Sequence, residues 1–555
     1  LKPLGPSCQV SELAGMIRVS AIAFITSSLG DDSPPKCAPE LTFDFIVVGS
    51  GSAGSVVAGR LARSRRLADV TVALLEAGKW DPPLAPDGGP LRQDSPSDTW
   101  KWKAINAPPG LRLAPAYLAG EPFTVSGRAL GGSSAVNNDV FMPGGCKGWG
   151  ANVPGEWSSG SVCAAMTRVK AEMQFSRGGP ALLDEIPAFA RSLASELQRT
   201  LGVRWEEGVL GEGDIIRPGL YGGPALSASC LRQVGPSCKR WRKHTSYTRY
   251  IAPWNRSLRG RLAIFTSTKV QRVLWRTSPH GHPVAVGVEA VAQKEYYARS
   301  SSAASSSTMV FCARREVILA AGAMGTPSIL LQSGVGDPAD LHKFGIRVFA
   351  HNEHVGRGLR DKIMSQCWFP LNMNCSDPRA AEFPPMYAFF NTEGGPQVEL
   401  EATFTPACGR TGKHMILYVH TIILHPRTTG RMVMPGPSIE YPPLDSADEQ
   451  SLHRGISMIE AAVKAFSSST FAADGDYDSS TRYECHDPAL FLHWCCSMAV
   501  GNALDAEFRV LGTHGLRVAD CSALPRPPPG HNAATCMAIG EIVATTIVEQ
   551  YMAAA

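Results

Sequence analysis

Gly49, Gly51 and Gly54 stand in the order G-x-G-x-x-G, and Glu76 follows 22 residues after the last of them. These residue types at this spacing can hold a dinucleotide. Gly49 permits a tight turn, Gly51 lets a pyrophosphate reach the backbone, and Gly54 lets a helix lie close on a strand. Ser52 and Ala53 sit where the helix opens, so its free N–H groups and positive dipole end face the phosphates. A carboxylate at Glu76, with Ala77 behind it, can accept hydrogen bonds from an adenosine ribose. Its charge disfavours NADP, whose 2′-phosphate would meet a like charge. NAD and FAD both remain open on this motif alone.

The elements that must position these residues lie on either side. Phe45–Val48 is an apolar run short enough for a buried parallel strand. The helix begins near Ser52, and Val70–Leu75 reads as the next strand, ending at Glu76. Strand, glycine turn, helix, strand and acid in register are far more specific than the glycines. Gly127–Phe141, with paired glycines and paired serines, reads as a loop rather than a helix; its backbone N–H groups suit a phosphate or a flavin ring. Ser158–Gln174 and Ile186–Thr200 read as helices. Leu262–Trp275 reads as a strand pair with Lys269 and Val270 between its members, Val284–Ala290 as a strand, and Tyr296–Thr308 as a surface loop. Arg315–Gly322 is again a buried strand entering a glycine turn, with a helix expected from Pro327. Between about 345 and 490 apolar alternation takes over, at Tyr387–Phe390, Val398–Phe404 and Met415–Leu424, with a helix over Asp448–Phe466. That pattern reads as an antiparallel sheet. A strand at Leu516–Asp520 and a helix from about Asn532 to Gln550 close the chain.

The 555 residues are 44% apolar and 18% charged, with a formal charge of +4, which is too mild to imply nucleic acid. No run of 18 apolar residues is present, so no membrane span is expected. The 15 cysteines include no C-x-x-C pair and read as buried or free thiols rather than a zinc site or a small disulfide scaffold. Ile17–Ile25, with Arg18 near its start, resembles a short signal h-region, which leaves an organellar or secreted location open. The sequons at Asn255 and Asn374 matter only in a secreted chain.

Taken together, Gly49–Glu76, Gly127–Phe141 and Gly322–Gly336 resemble the three motifs of the glucose–methanol–choline (GMC) flavoprotein oxidoreductases. Leu516–Ser522 and the final helix are similar too, so the likeness covers roughly 41–345 and 490–550. It implies FAD rather than NAD. It implies an α/β fold: a discontinuous Rossmann-like FAD-binding domain beside an α+β substrate domain on an antiparallel sheet. The expected ranges are 41–345 for the FAD domain with inserted cap segments, 346–504 for the substrate domain, and 505–555 completing the FAD domain. By family position, Gly49, Gly51, Gly54 and Glu76 would hold the ADP half, and Val270 would touch the adenine side. Arg128, Gly131, Ser134 and Asn138 would follow the pyrophosphate and flavin, and Asp520, Asn532 and Ala533 would close the flavin end. Val136 stands where some members carry a flavin-linking histidine, so non-covalent FAD is expected. No metal is implied.

The implied reaction is oxidation of a small alcohol, with oxygen or a quinone as final electron acceptor. Such chemistry needs a base for the hydroxyl proton and a second group that orients the alcohol. The family places a His or Asn ten residues before a Glu of the last helix; here these are His531 and Glu541. Its other histidine lies in His-x-x-Gly-Thr-Cys-x-Met-Gly, which here reads Phe491-Leu-His-Trp-Cys-Cys-Ser-Met-Ala. Matching Cys496 and Met498 puts Phe491 at the histidine position, with His493 two residues on. His493 is the favoured base; otherwise the site has lost it. A second departure is Asp361-Lys362, where the family often has Asp-His. A hydroxynitrile-lyase-like flavoprotein and a catalytically degenerate flavin-binding protein are the alternatives.

Overall fold

The computed structural model describes residues 37–78, 99–105, 123–137, 140–142, 159–174, 176–177, 184, 188–207, 216–222, 225–226, 228–234, 237–292, 308–374, 376, 386–392, 400–408, 414–434, 438–470 and 484–553. Asn138, the signal-like stretch and most of the expected 296–308 loop lie outside these residues.

Strand Thr42–Val48 is the centre of the larger α/β layer. Its residues Phe45–Val48 are almost wholly buried, as a strand covered on both faces requires. Val72–Leu75 pairs parallel on one side and Thr308–Leu319 on the other, so the strand order reverses at its C-terminal end. Ligands of open α/β sheets bind at such a reversal. Leu262–Phe265 extends the parallel sheet beyond Val72–Leu75, and Leu516–Val518 joins beyond Thr308–Leu319. The C-terminal residues thus complete a sheet begun more than 400 positions earlier.

Several elements differ from the sequence reading. Lys269 and Val270 lie inside the strand Thr268–Thr277, not in a turn; the break falls earlier, at Ser267, whose φ is +51°. Gly127–Phe141 contains one short helix, Ser133–Val136. The helix expected from Pro327 begins at Gly322, so Pro327 lies within it. Proline has no N–H to offer the carbonyl four residues back. That carbonyl, Ala323 O, instead accepts the Ser497 hydroxyl. A partner from a remote segment therefore removes the usual reason for a helix to avoid proline.

The second sheet is antiparallel, in the order Glu484–Cys485, Ile363–Asn374, His414–Ile423, Leu400–Cys408, Met386–Phe390, Gly219–Tyr221. Its edge strand Gly219–Tyr221 comes from within the inserted part of 41–345. Helix Ser446–Thr470 covers one face, burying Leu452, Ile459, Val463 and Phe466 at helical spacing. A side chain at Gly455 would stand 2.6 Å from Leu400, so the glycine permits the close approach. The opposite face carries Tyr387, Glu401, Thr403, His420 and Gln366.

Among the described residues the cysteines are not mainly free. Cys37–Cys312, Cys367–Cys485 and Cys521–Cys536 form disulfides, and Cys163 is also bonded. Pairs 275 and 118 residues apart leave no spacing signature to read. Cys495 and Cys496 are free and buried. Burial, then the neighbouring Cys496, pushes the Cys495 thiol well above its ordinary pKa, so it stays protonated. Among the described residues no helix is long and apolar enough to cross a membrane, and no cluster could hold a metal ion.

Candidate active site

The glycine turn is built by close backbone packing. Gly49 has φ +98°, and a Cβ there would lie 2.5 Å from Ala320 O. A Cβ on Gly54 would lie 1.9 Å from Gly49 O, which fixes the helix Gly54–Arg63 against the strand. Gly51 differs: a Cβ there would meet nothing within 4 Å. The 127–137 segment docks on this turn. Gly131 donates its N–H to Ser50 O at 3.0 Å, and the Ser246 hydroxyl reaches Gly51 O at 3.1 Å. Ser134 bonds Gly131 O and receives the Ser246 N–H.

Glu76 lies beside the same turn. Its Oε2 accepts the N–H and hydroxyl of Ser50 at 2.9 and 2.7 Å, and its Oε1 accepts the Gly78 N–H at 2.7 Å. Burial raises its pKa, opposed by these bonds and by the charge of Arg128. Val270 is buried on the strand whose first residue donates to Glu76 O at 2.8 Å. At the other end Asp520 joins two motifs: Oδ2 accepts Gly322 N–H at 2.9 Å and the Thr326 hydroxyl at 2.6 Å, and Oδ1 accepts Ser522 N–H.

The final helix, Asn532–Ala553, starts at the candidate reaction centre. Gly540 lets it cross the glycine-turn helix closely, since a Cβ would stand 2.7 Å from Ala53 O. His531 precedes the helix, and its ring centre is 4.6 Å from that of His493. Phe491 lies edge-on to both, at 4.6 Å from His493 and 5.8 Å from His531. So His493, two residues past the family's position, is the histidine that meets His531. Ala533 lies in the first turn of the same helix.

The His493 segment is held by one buried carboxylate. Asp361 accepts the N–H of Leu492 at 2.7 Å and of His493 at 2.6 Å. Successive N–H groups of an extended chain point opposite ways. Leu492 adopts φ +67°, which turns both toward one acceptor. A non-glycine residue there is strained, and Asp361 stabilises it. Burial raises the Asp361 carboxyl to about 7, opposed by those N–H bonds and by the Lys362 charge. Asn532 adds a side-chain donor to His493 O. Burial, then His531 and Lys362, holds the His493 imidazole well below its usual pKa, so the ring is neutral at pH 7.

Glu401, a residue the sequence reading did not single out, lies 3.3 Å from His531 Nε2 and is fully buried. Its one signal was a lone acid at an alternate position of an apolar strand. The contact gives His531 an Nε2–H tautomer, leaving Nδ1 for another partner.

Two family models described as GMC oxidoreductase match residues 216–364 and 434–540. An ecdysone oxidase of Spodoptera littoralis is 24% identical, with 92% of each chain covered. An oxygen-dependent choline dehydrogenase of Brucella anthropi is 24% identical over 90% of this chain and 94% of its own. A solved formate oxidase shares the fold with a TM-score of 0.68 at 20% identity, over 92% of this chain and 98% of that one. Fold and cradle define an FAD-dependent oxidoreductase. The chain belongs to the GMC oxidoreductase family.

The residues present fit FAD. Open space stands at Gly51, where a pyrophosphate needs it. At the far end the Asn532 Oδ1, the Thr535 hydroxyl and His493 Nδ1 are buried without hydrogen-bond partners. Such orphans are costly in a folded protein unless a ligand or water meets them, and flavin and substrate offer matching groups.

Proposed function

We propose that the chain oxidises an alcohol at the His493–His531 pair, with His493 as the base and His531 orienting the hydroxyl. The observation that carries this reading is the 4.6 Å approach of the two rings at the start of the final helix. Bound FAD supplies the hydride acceptor. His493 is neutral, and its unpartnered Nδ1 can take the hydroxyl proton. Glu401 holds the His531 ring by its Nε2 and so fixes the orientation of the ring beside the alcohol. Gly49, Gly51, Gly54, Glu76, Arg128, Gly131, Ser134, Val270 and Asp520 would hold the cofactor, non-covalently.

The substrate we favour carries further hydroxyl groups. Tyr387, Thr403, His420 and Gln366 form a polar row across four strands, two residues or about 7 Å along from Glu401. Gln366 Oε1 and His420 Nε2 have no hydrogen-bond partner there. An anaerobic visible spectrum before and after alcohols tests both points. Bleaching is expected, faster with polyhydroxylated compounds than with matched mono-alcohols. A bound flavin that no alcohol bleaches, alongside cyanohydrin cleavage, would move the assignment to the lyase.

Glu401→Gln keeps the shape but removes the charge next to His531. Flavin reduction is expected to fall about tenfold, as for the loss of one charge-assisted hydrogen bond. An unchanged rate would remove Glu401 from the mechanism.

The disulfides and the sequons support an oxidising compartment for this chain. Oxygen and a quinone both remain open as the final acceptor, and steady-state turnover with each separates them.

A further inference from the structure

Lys362 is fully buried, which is rare for lysine unless it is paired. Its ammonium donates to the carbonyl of Gly530, the residue immediately before His531. Its own carbonyl accepts the N–H of Phe491 at 2.9 Å, at the start of the His493 segment. One residue therefore ties down both segments that carry the histidines. Its neighbours act on the same two rings. Asp361 holds the His493 and Leu492 N–H groups, and Glu401 meets His531.

We propose that Lys362 is a positioning residue for the histidine pair: its ammonium fixes the Gly530–His531 turn, and its carbonyl fixes the start of the His493 segment. The inference rests on the two-histidine reading above.

The charges around Lys362 are consistent with this. Burial lowers its pKa to about 8, opposed by Glu401, Cys495 and Asp361 in that order. From its own segment Asp361 and Arg360 face this region, from the strand Leu400–Cys408 Glu401, and from the 491–496 turn His493 and Cys495. His531 lies on the final loop. His425 is brought down to about 4 by burial and then by the Lys362 charge, so it is neutral and cannot replace that charge. Two carboxylates and one ammonium thus share a water-poor site. Removing the ammonium takes away a positive charge that holds the His493 ring neutral, which favours protonated imidazole.

The test is Lys362→Met in the holoenzyme, a substitution of similar length without charge. Flavin content, melting temperature and the anaerobic flavin-reduction rate from pH 5 to 10 are measured together. The acidic limb of the rate profile is expected to move up by about one pH unit. On the acid side of both limbs that is about a tenfold loss relative to the parent. A role in packing alone would lower stability and leave the limb where it was. Lys362→His is the second variant, smaller and still able to hydrogen-bond. At this buried position it should stay neutral, as His425 does, and move the limb as far as Lys362→Met does. NMR titration of labelled histidines in the same proteins provides a readout that needs no turnover. If no alcohol reduces the parent flavin, the redox reading has failed, and the histidine titration still decides the role of Lys362. Superimposable titrations and rate profiles in parent and variants would overturn the proposal.

Discussion

His493→Ala is expected to slow anaerobic flavin reduction by about 10²–10⁴-fold, the range for loss of a general base, while FAD stays bound. The reasoning starts from Phe491. At the position where family members carry a histidine, the phenyl ring can move no proton. It does supply an apolar wall against both imidazoles, and that burial contributes to keeping His493 neutral. His493 is then a base available at and below neutral pH. The parent rate should stay level as pH falls through the ordinary histidine range and drop only in more acid solution, where the imidazole gains its proton. His531→Ala should also be slow, but through orientation, so the double variant should lose less than the product of the two single losses. A normal rate in His493→Ala would show that His493 is not the base.

How much of this was legible in the sequence depended on distance along the chain. The glycine turn was clear because its requirements are local. Gly49 needs positive φ and Gly54 needs contact with the strand just before it, so both leave a short motif. The flavin-end Asp520 could be placed only by resemblance; its carboxylate meets Gly322 and Thr326, almost 200 positions earlier. The histidine was undecided because a run of nine residues cannot show which ring faces His531. Asp361, more than 130 positions earlier, settles the backbone of that turn. Glu401 was hidden for a similar reason. An acid in an apolar strand reads as a solvent-facing position until the partner strand and the final helix are in place. Pro327 misled the reading of helix start because its missing hydrogen bond is made good by Ser497. In each case the local rule held, and a residue from another segment changed what it implied.

Gly51→Leu is expected to abolish FAD binding without unfolding the chain. The three glycines of the turn serve different ends, and the space around each says which. Side chains at Gly49 and Gly54 would collide with backbone carbonyls at 2.5 and 1.9 Å, so substitution there should damage the fold itself. Gly51 has no such neighbour, and its φ lies outside the left-handed range. A leucine can therefore stand on it unstrained, in the space a pyrophosphate must enter. Purified Gly51→Leu should lack the flavin visible bands yet keep the far-UV circular dichroism of the parent. Its melting temperature should equal that of parent protein stripped of FAD and should not rise when FAD is added. The parent should rise with FAD, since a ligand bound only by the native state stabilises it by mass action. Gly54→Leu is the contrasting control, with low soluble yield and a lower melting temperature even without cofactor. A Gly51→Leu protein that retained stoichiometric FAD would show that the dinucleotide does not pass over this turn, and the cofactor assignment from Gly49 to Glu76 would fall with it.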